Sequence, residues 1–374
     1  MKNGRPWYNI GTNKKTHHKG GRPMRKIAYL GMDAHASHCV LGDMGADGTF
    51  RGNCRFPTSE LNIIEALEKI KAKEKYLTLE ECNLAYWIAQ VASPYVTKVL
   101  PCDPKENALI YKGPKKADKV DTKKLCRLLR LGELKEVYHP ENDARAIFKA
   151  AARHYIDLRD QQVTLKQKIK AMYRYWGVID VAGEAVYSVK RRHDYLKQIK
   201  HFQIKNQLNR LYTLMDETEA MQRNALKAMK QMGRRYPEIK EFKKIPGIAD
   251  VNAHIFDAFI QTPDRFANRS RLWRYCKLGV TDRSSDGKPL GYKRLDRSGI
   301  SEIKALTYQA WMSTLSGDNE VRRFYSESLS RTLSRVHARL NTQRKIIAVM
   351  YGIWKRGEAY RPQLFLDSLK SGVV

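Results

Sequence analysis

The stretch KKADKVDTKKL, residues 115–125, sets Asp118 and Asp121 three apart inside a run of lysines. On a helix that spacing puts both carboxylates on one face. Such a pair is either a solvated face laced with ion pairs or half of a metal site. Two other places hold acids at the ends of strand-like segments: Asp33 closes KIAYLGMD, and Glu80-Glu81 close KYLTLEE. Strand parity leaves the choice between the glutamates open. Glu81 shares parity with Leu77 and Leu79, yet its terminal position lets it leave the core. Four carboxylates gathered at one edge (Asp33, Glu81, Asp118 and Asp121) would resist joint ionisation unless divalent cations neutralised them. Mg²⁺, with Mn²⁺ able to substitute, prefers such hard oxygen ligands. Two such ions flanking a phosphate stabilise the attacking and leaving oxygens of an in-line displacement. Lys115, Lys116 and Lys119 would then meet a nucleic-acid backbone beside the acids.

The elements that must position these acids follow from the residue pattern. Residues 26–56 read as three sequential strands with short turns, the pattern of an antiparallel meander. TSELNIIEALEKIKAK follows as a helix behind a Thr58/Ser59 cap, with Leu61, Ile64, Leu67 and Ile70 as its apolar stripe. A strand, a helix, a strand and the DTKKLCRLLRLGEL helix complete the order βββαβαβα. That order predicts an α/β ribonuclease-H-like domain over residues 25–140, with carboxylates at strand ends and on a late helix. Residues 141–235 predict long helices. Tyr155, Leu158, Gln162, Leu165, Ile169 and Met172 alternate three and four apart, as do Ile204, Leu208, Leu211 and Met215, the spacing of a coiled-coil seam. The pairing could be within one chain or across a dimer. Residues 236–374 predict a mostly α-helical C-terminal domain. It opens with an Ile245-Pro246-Gly247-Ile248 turn, contains a long polar glycine-rich loop over residues 279–301, and closes with an amphipathic packing helix.

Composition narrows the partner. Lys and Arg total 70 against 39 Asp and Glu, a formal charge of +31 over 374 residues. Such an excess repels itself unless a polyanion supplies the counter-charge, so nucleic acid is expected. Residues 1–24 read as a flexible basic arm without the apolar stretch of a secretory signal. No apolar run is long enough to span a bilayer. The six cysteines are scattered, with no CxxC pair or zinc-ligand spacing, which fits a reducing cytoplasm and argues against a disulfide framework.

At several points the chain resembles the transposases of the insertion-sequence 110 / 1111 family, which include Piv-type DNA invertases. GMDAH looks like the family's first-Asp motif. LEECNLAYW looks like its Glu motif, and the register of Tyr86-Trp87 selects Glu81. KADKVDTKKL is similar to its paired-Asp motif, and IPGI, Arg265-Phe266, KLGV and RSSDGKPLG match later segments. Two departures are visible: CNL stands where a small Gly usually follows the Glu, and Lys304 stands where the family tends to have Arg.

The resemblance implies a RuvC-like domain with a D-E-D-D tetrad, a coiled-coil middle and a nucleophilic serine. The serine is Ser285, just before the Asp-Gly turn, with Ser284 the second choice. No histidine nearby forms a triad with it. Lys288 and Arg294 would hold the phosphate or its developing charge. The tetrad domain and the serine, from one subunit or two, would have to meet over one scissile phosphate.

The implied activity is a DNA recombinase that exchanges strands of donor and target DNA through a phosphoserine link. It would be guided by an element-encoded RNA, and work as a dimer or tetramer on the bacterial nucleoid. Two rivals remain open at this point. A RuvC-type junction nuclease would use the acids and water alone, and a non-enzymatic basic scaffold would use neither.

Overall fold

A computed structural model describes residues 24–104, 118–140, 143–285 and 288–370; for residues 118–120, 282–285, 288–293 and 368–370 it describes the backbone only. The basic arm, Lys115 and Lys116 lie outside the described residues. The chain forms two compact units, Met1–His139 and Pro140–Val374.

The first unit is built on a five-stranded mixed sheet of order β3-β2-β1-β4-β5. The strands are β1 (Arg25–Ala34), β2 (His38–Gly45), β3 (Phe50–Pro57), β4 (Ala72–Glu80) and β5 (Lys98–Cys102). The first three form the expected antiparallel meander, while β4 and β5 run parallel to β1. Parallel strands need crossovers, and the helices Glu60–Lys69 and Ala85–Ala92 supply them. Both cover one face. There Leu30, Met32, Leu77 and Leu79 pack with Ile63, Leu67 and Ile88 in a buried cluster.

Ser59 caps the first of these helices by accepting from the Asn62 amide at 3.3 Å. Its buried stripe is Ile63, Ala66 and Leu67. Leu61, expected to pack, is 67% exposed. Leu67 is common to the expected and the observed stripe, and Ile63 and Ala66 take the buried places beside it. The late helix, Asp118–Leu131, covers the opposite face and contributes Leu125, Cys126 and Leu128.

In the second unit the helices Asp143–Tyr175 and Phe202–Gly233 pack side by side within the one chain. Their direction is antiparallel. Leu165, Ile169 and Tyr173 share a distal cluster with Leu208, Tyr212 and Met215, while Phe148 and Ala152 share a proximal core with Ala225 and Met229. The second long helix begins at Phe202, just ahead of its first apolar seam residue, Ile204. A short helix, Arg192–Lys197, precedes it, and the intervening Ile199 is buried in the distal cluster.

The proximal core continues into the C-terminal helices, with Phe242, Phe256, Phe259, Ile346, Ile347 and Met350 all buried. The expected packing role of the helix Arg335–Arg356 follows from those residues. One expectation is corrected: residues 279–301 are not simply a loop. Val280–Ser285 (β6) and Lys288–Leu295 (β7) pair as an antiparallel hairpin. Alternating polar residues concealed it, since neither face of this ribbon has the apolar stripe of a half-buried strand.

Candidate active site

Successive residues of a strand point to opposite faces. In β1, Leu30 and Met32 belong to the crossover-helix face, so Gly31 and Asp33 face the late helix. In β4, Leu77 and Leu79 share the crossover-helix face, leaving Thr78 and Glu80 toward the late helix. The parallel register pairs Gly31 with Thr78 and Met32 with Leu79. One residue further on, Asp33 stands beside Glu80. Side chains on adjacent strands at the same register lie on the same face.

The late helix meets this face closely. A β-carbon on Gly42 would lie 3.0 Å from Thr122 Cβ, and Thr122 itself is fully buried. Asp121 precedes Thr122, and its charge reaches the sheet. Burial raises the Glu80 carboxyl above the ordinary carboxylate range, and the neighbouring charges of Asp33 and Asp121 raise it further. Glu80 therefore senses acids from both β1 and the late helix at the C-terminal end of β4. Asp33 has a second neighbour, since His35 Nε2 lies 3.3 Å from its Oδ2.

Glu81 goes elsewhere. It follows the last residue of β4, its amide donates to the Cys102 carbonyl at 2.9 Å, and its carboxylate receives His139 Nε2 at 2.7 Å. His139 is 14% exposed and its ring sits 5.7 Å from that of Tyr86. The structure thus sets Glu80 in register with Asp33 and within electrostatic reach of Asp121, and ties Glu81 to His139. Asp118 and Lys119 lie in the first turn of the late helix, with side chains outside the description.

Carboxylate oxygens at a sheet edge are the donor type that Mg²⁺ takes, and a carboxyl destabilised by burial and like charge gains from a cation. Among the described residues, no group of three or more His, Cys, Asp or Glu is placed to hold a metal ion. Asp118 is the remaining acid of the expected set on this helix.

In the second unit, Ser284 and Ser285 are the last two residues of β6. Ser284 pairs with Pro289 and Ser285 with Lys288 across the hairpin. Lys288 is thus the register partner of Ser285, although the side chains of both lie outside the description. Arg294 is exposed in β7, and its carbonyl accepts from Thr281 Oγ1 at 3.4 Å.

Beyond the hairpin, Asp296 caps the turn by accepting from the Ser298 amide at 2.8 Å and from Arg274 Nε at 2.8 Å. Gly299, with φ of +89°, lets the chain pass so close to Tyr275 that a β-carbon would lie 2.3 Å from the Tyr275 carbonyl oxygen. That turn leads into the helix Ser301–Thr314, which carries Lys304. Burial lowers the Lys304 ammonium pKa, and the nearby cations Arg339 and Lys277 lower it further. Arg339 comes from another helix, lying 5.4 Å from the ring centre of Tyr308.

Beside the expected residues stand Glu80 in register with Asp33, His139 on Glu81, and Lys277 and Arg339 near Lys304. Strand register is the signal that places Glu80 beside Asp33; the others come from distant segments that no local spacing connects.

No helix of the described residues is long and apolar enough to cross a membrane. No curated protein matches the chain. Residues 239–326, which include the β6–β7 hairpin with both serines, match the model described as the transposase IS116/IS110/IS902 family, and this part of the chain is similar to those insertion-sequence transposases.

Proposed function

We propose that this chain is the DNA transposase of an insertion sequence, a recombinase that cuts and rejoins donor and target strands through a phosphoserine intermediate. The observation that carries this reading is the transposase-family match over residues 239–326, the segment that holds Ser284 and Ser285. The acids of the first unit support the phosphoryl-transfer part. Asp33, Asp118 and Asp121, with Glu80 or Glu81 as the fourth, would hold Mg²⁺, which when bound stabilises charge on a phosphate.

Ser285 Oγ bonds to the scissile phosphorus and gives up its hydroxyl proton as the bond to the departing sugar oxygen breaks, and that oxygen takes up one proton, so the step is balanced. The phosphoserine link retains the bond energy, so rejoining needs neither ATP nor ligase. Lys288 and Arg294 stand in the same hairpin to hold the phosphate. The charge of +31 supports extended contact with DNA backbones. An element-encoded RNA that pairs with donor and target is the proposed guide, so base pairing would select the site. A dimer or tetramer handles the two duplexes.

Ser285→Ala tests the reading. With end-labelled element DNA and Mg²⁺, the wild-type chain should give a covalent protein–DNA species on denaturing gels. The variant should give none, while Ser284→Ala retains it. Continued cleavage by Ser285→Ala without any covalent species would favour a water-using nuclease of the RuvC type. Full retention of nucleic-acid binding with no strand cleavage by the wild-type chain would favour a scaffold.

A further inference from the structure

At the distal end of the paired long helices, aromatic side chains that could have been buried are in water. Tyr175 is 83% exposed, Trp176 38% and Phe202 70%. They are not scattered. The Tyr175 and Trp176 rings meet edge to face with centroids 5.6 Å apart, and Trp176 lies 4.9 Å from the His201 ring, the residue immediately before Phe202. The tip does not lack a core to receive them. Tyr173, Tyr187 and Tyr212 are buried in the distal cluster, with Tyr212 donating to the Val186 carbonyl at 2.8 Å.

The charge around this cluster chooses its occupant. Residues 174–205 contain seven Lys or Arg and three acids. Of the acids, Glu184 is held by Lys166 at 2.7 Å, and of the cations Arg192 is held by Asp216. Lys190, Arg191, Lys197 and Lys200, in the segment that joins Trp176 to His201, are exposed. A second copy of the chain docking tip to tip would bring two such basic surfaces together, which like-charge repulsion opposes. A polyanion with flat apolar faces satisfies both features: bases stack on exposed rings while cations track the phosphates. Duplex DNA hides its base faces, so the ligand is unpaired.

We propose that Tyr175, Trp176, His201 and Phe202 at the tip of the helical hairpin form a stacking surface for unpaired nucleotides, DNA or RNA, with the surrounding lysines and arginines holding the phosphates. This rests on nucleic acid being the partner of the chain, and is independent of the strand-transfer chemistry and of Ser285.

The test compares the wild-type chain, a variant with Tyr175→Ala, Trp176→Ala and Phe202→Ala, and a ring-retaining variant with Tyr175→Phe, Trp176→Phe and Phe202→Tyr. Fluorescence anisotropy is read at fixed salt with a labelled single-stranded DNA, the same sequence as single-stranded RNA, and its DNA duplex. The alanine variant should lose about tenfold or more in affinity for a single strand, keep its duplex affinity within about twofold, and be rescued by the ring-retaining variant. Loss confined to the DNA strand or to the RNA strand identifies which supplies the ligand.

Unchanged single-strand binding, or equal losses on single strand and duplex, overturns the proposal. So does conversion of the alanine variant from a larger assembly to monomer in light scattering without a single-strand defect, which would assign the rings to a second copy. A wild-type chain that binds none of the three probes overturns both this proposal and the nucleic-acid reading above. Should the alanine variant fail to fold by circular dichroism, the wild-type chain is photocrosslinked to an iodouracil-bearing single strand. Adducts at residues 175–202 support the surface, and adducts only elsewhere overturn it.

Discussion

Gly31 in β1 and Thr122 in the late helix are in direct backbone proximity: a β-carbon on Gly31 would lie 2.6 Å from the Thr122 carbonyl oxygen and 2.8 Å from Leu125 Cβ. The absence of a side chain at residue 31 is therefore what allows the helix bearing Asp121 to settle on the strand bearing Asp33. Gly31→Ala should push the helix away, costing about 1–3 kcal/mol in overpacking. Displacement of that size at a site needing close geometry lowers turnover by roughly a hundredfold. The check is a Tm measurement alongside strand cleavage; full activity with an unchanged Tm would show that the contact positions nothing.

Glu80 and Glu81 make different predictions because the strand sends them to different neighbours. Under the placement beside Asp33, Glu80→Gln should reduce cleavage by roughly a hundredfold, as loss of an essential charged group at a phosphoryl-transfer site does. Glu81→Gln should then change it only a few-fold, through the hydrogen bond with His139. The reverse order in a side-by-side cleavage assay would return the fourth position to Glu81, as the family resemblance assigns it.

Chelation separates binding from chemistry. Removing divalent cations with EDTA should abolish the covalent protein–DNA species and leave nucleic-acid affinity largely intact, since affinity comes from backbone contacts. Added Mg²⁺ or Mn²⁺ should restore the product, whereas persistence of the adduct in excess chelator would remove the metal from the scheme.

Arg145, near the start of the first long helix, donates to Asp257 and, at 2.8 Å, to Glu238, while its guanidinium lies 3.6 Å from the ring centre of Tyr236. Burial pushes the Asp257 carboxyl well up, with Arg145 working against that rise. Arg145→Ala leaves buried Asp257 and partly buried Glu238 without their shared cation, and should cost about 3–5 kcal/mol. Asp257→Asn removes a buried acid at similar shape and should cost far less. Urea denaturation of both variants checks the order.

Asp250 gives the acid limb of stability. Burial acts to raise its carboxyl, but hydrogen bonds from Lys230 at 2.6 Å and Lys243 at 2.8 Å prevail and bring it down to about 2. A carboxyl lowered in the folded state contributes stability above its unfolded value, and that contribution is lost as pH falls from about 4 toward about 2. Asp250→Asn should therefore be less stable than the wild-type chain at pH 7 and converge with it near pH 2. A constant difference across that range would mean the ion pairs contribute nothing that titrates.

By itself the sequence determined the element order of the first unit, the existence of the two long helices, the packing role of the last long helix and the basic character of the whole. These are local or additive properties. Alternation in β1 and β4, three-and-four spacing at Leu165 and Ile169, and a sum of charges can all be read without knowing what lies across the fold. The positions of Asp33 near a strand end and of Asp121 on a helix are readable for the same reason.

Only the tertiary structure decided what depends on register and on distant partners. Glu80 lies beside Asp33 because β1 and β4 pair with one particular offset, and Glu81 turns to His139 because the end of that unit returns past β5. The β6–β7 hairpin escaped notice because its pairing comes from backbone hydrogen bonds, which leave no apolar signature in the side chains. The exposed ring cluster at Trp176 and His201 exists only when two helices far apart in the chain run antiparallel. Spacing along a chain records which face a residue shares with its near neighbours, while the contacts that set charge, burial and chemistry are made across loops whose lengths carry no such record.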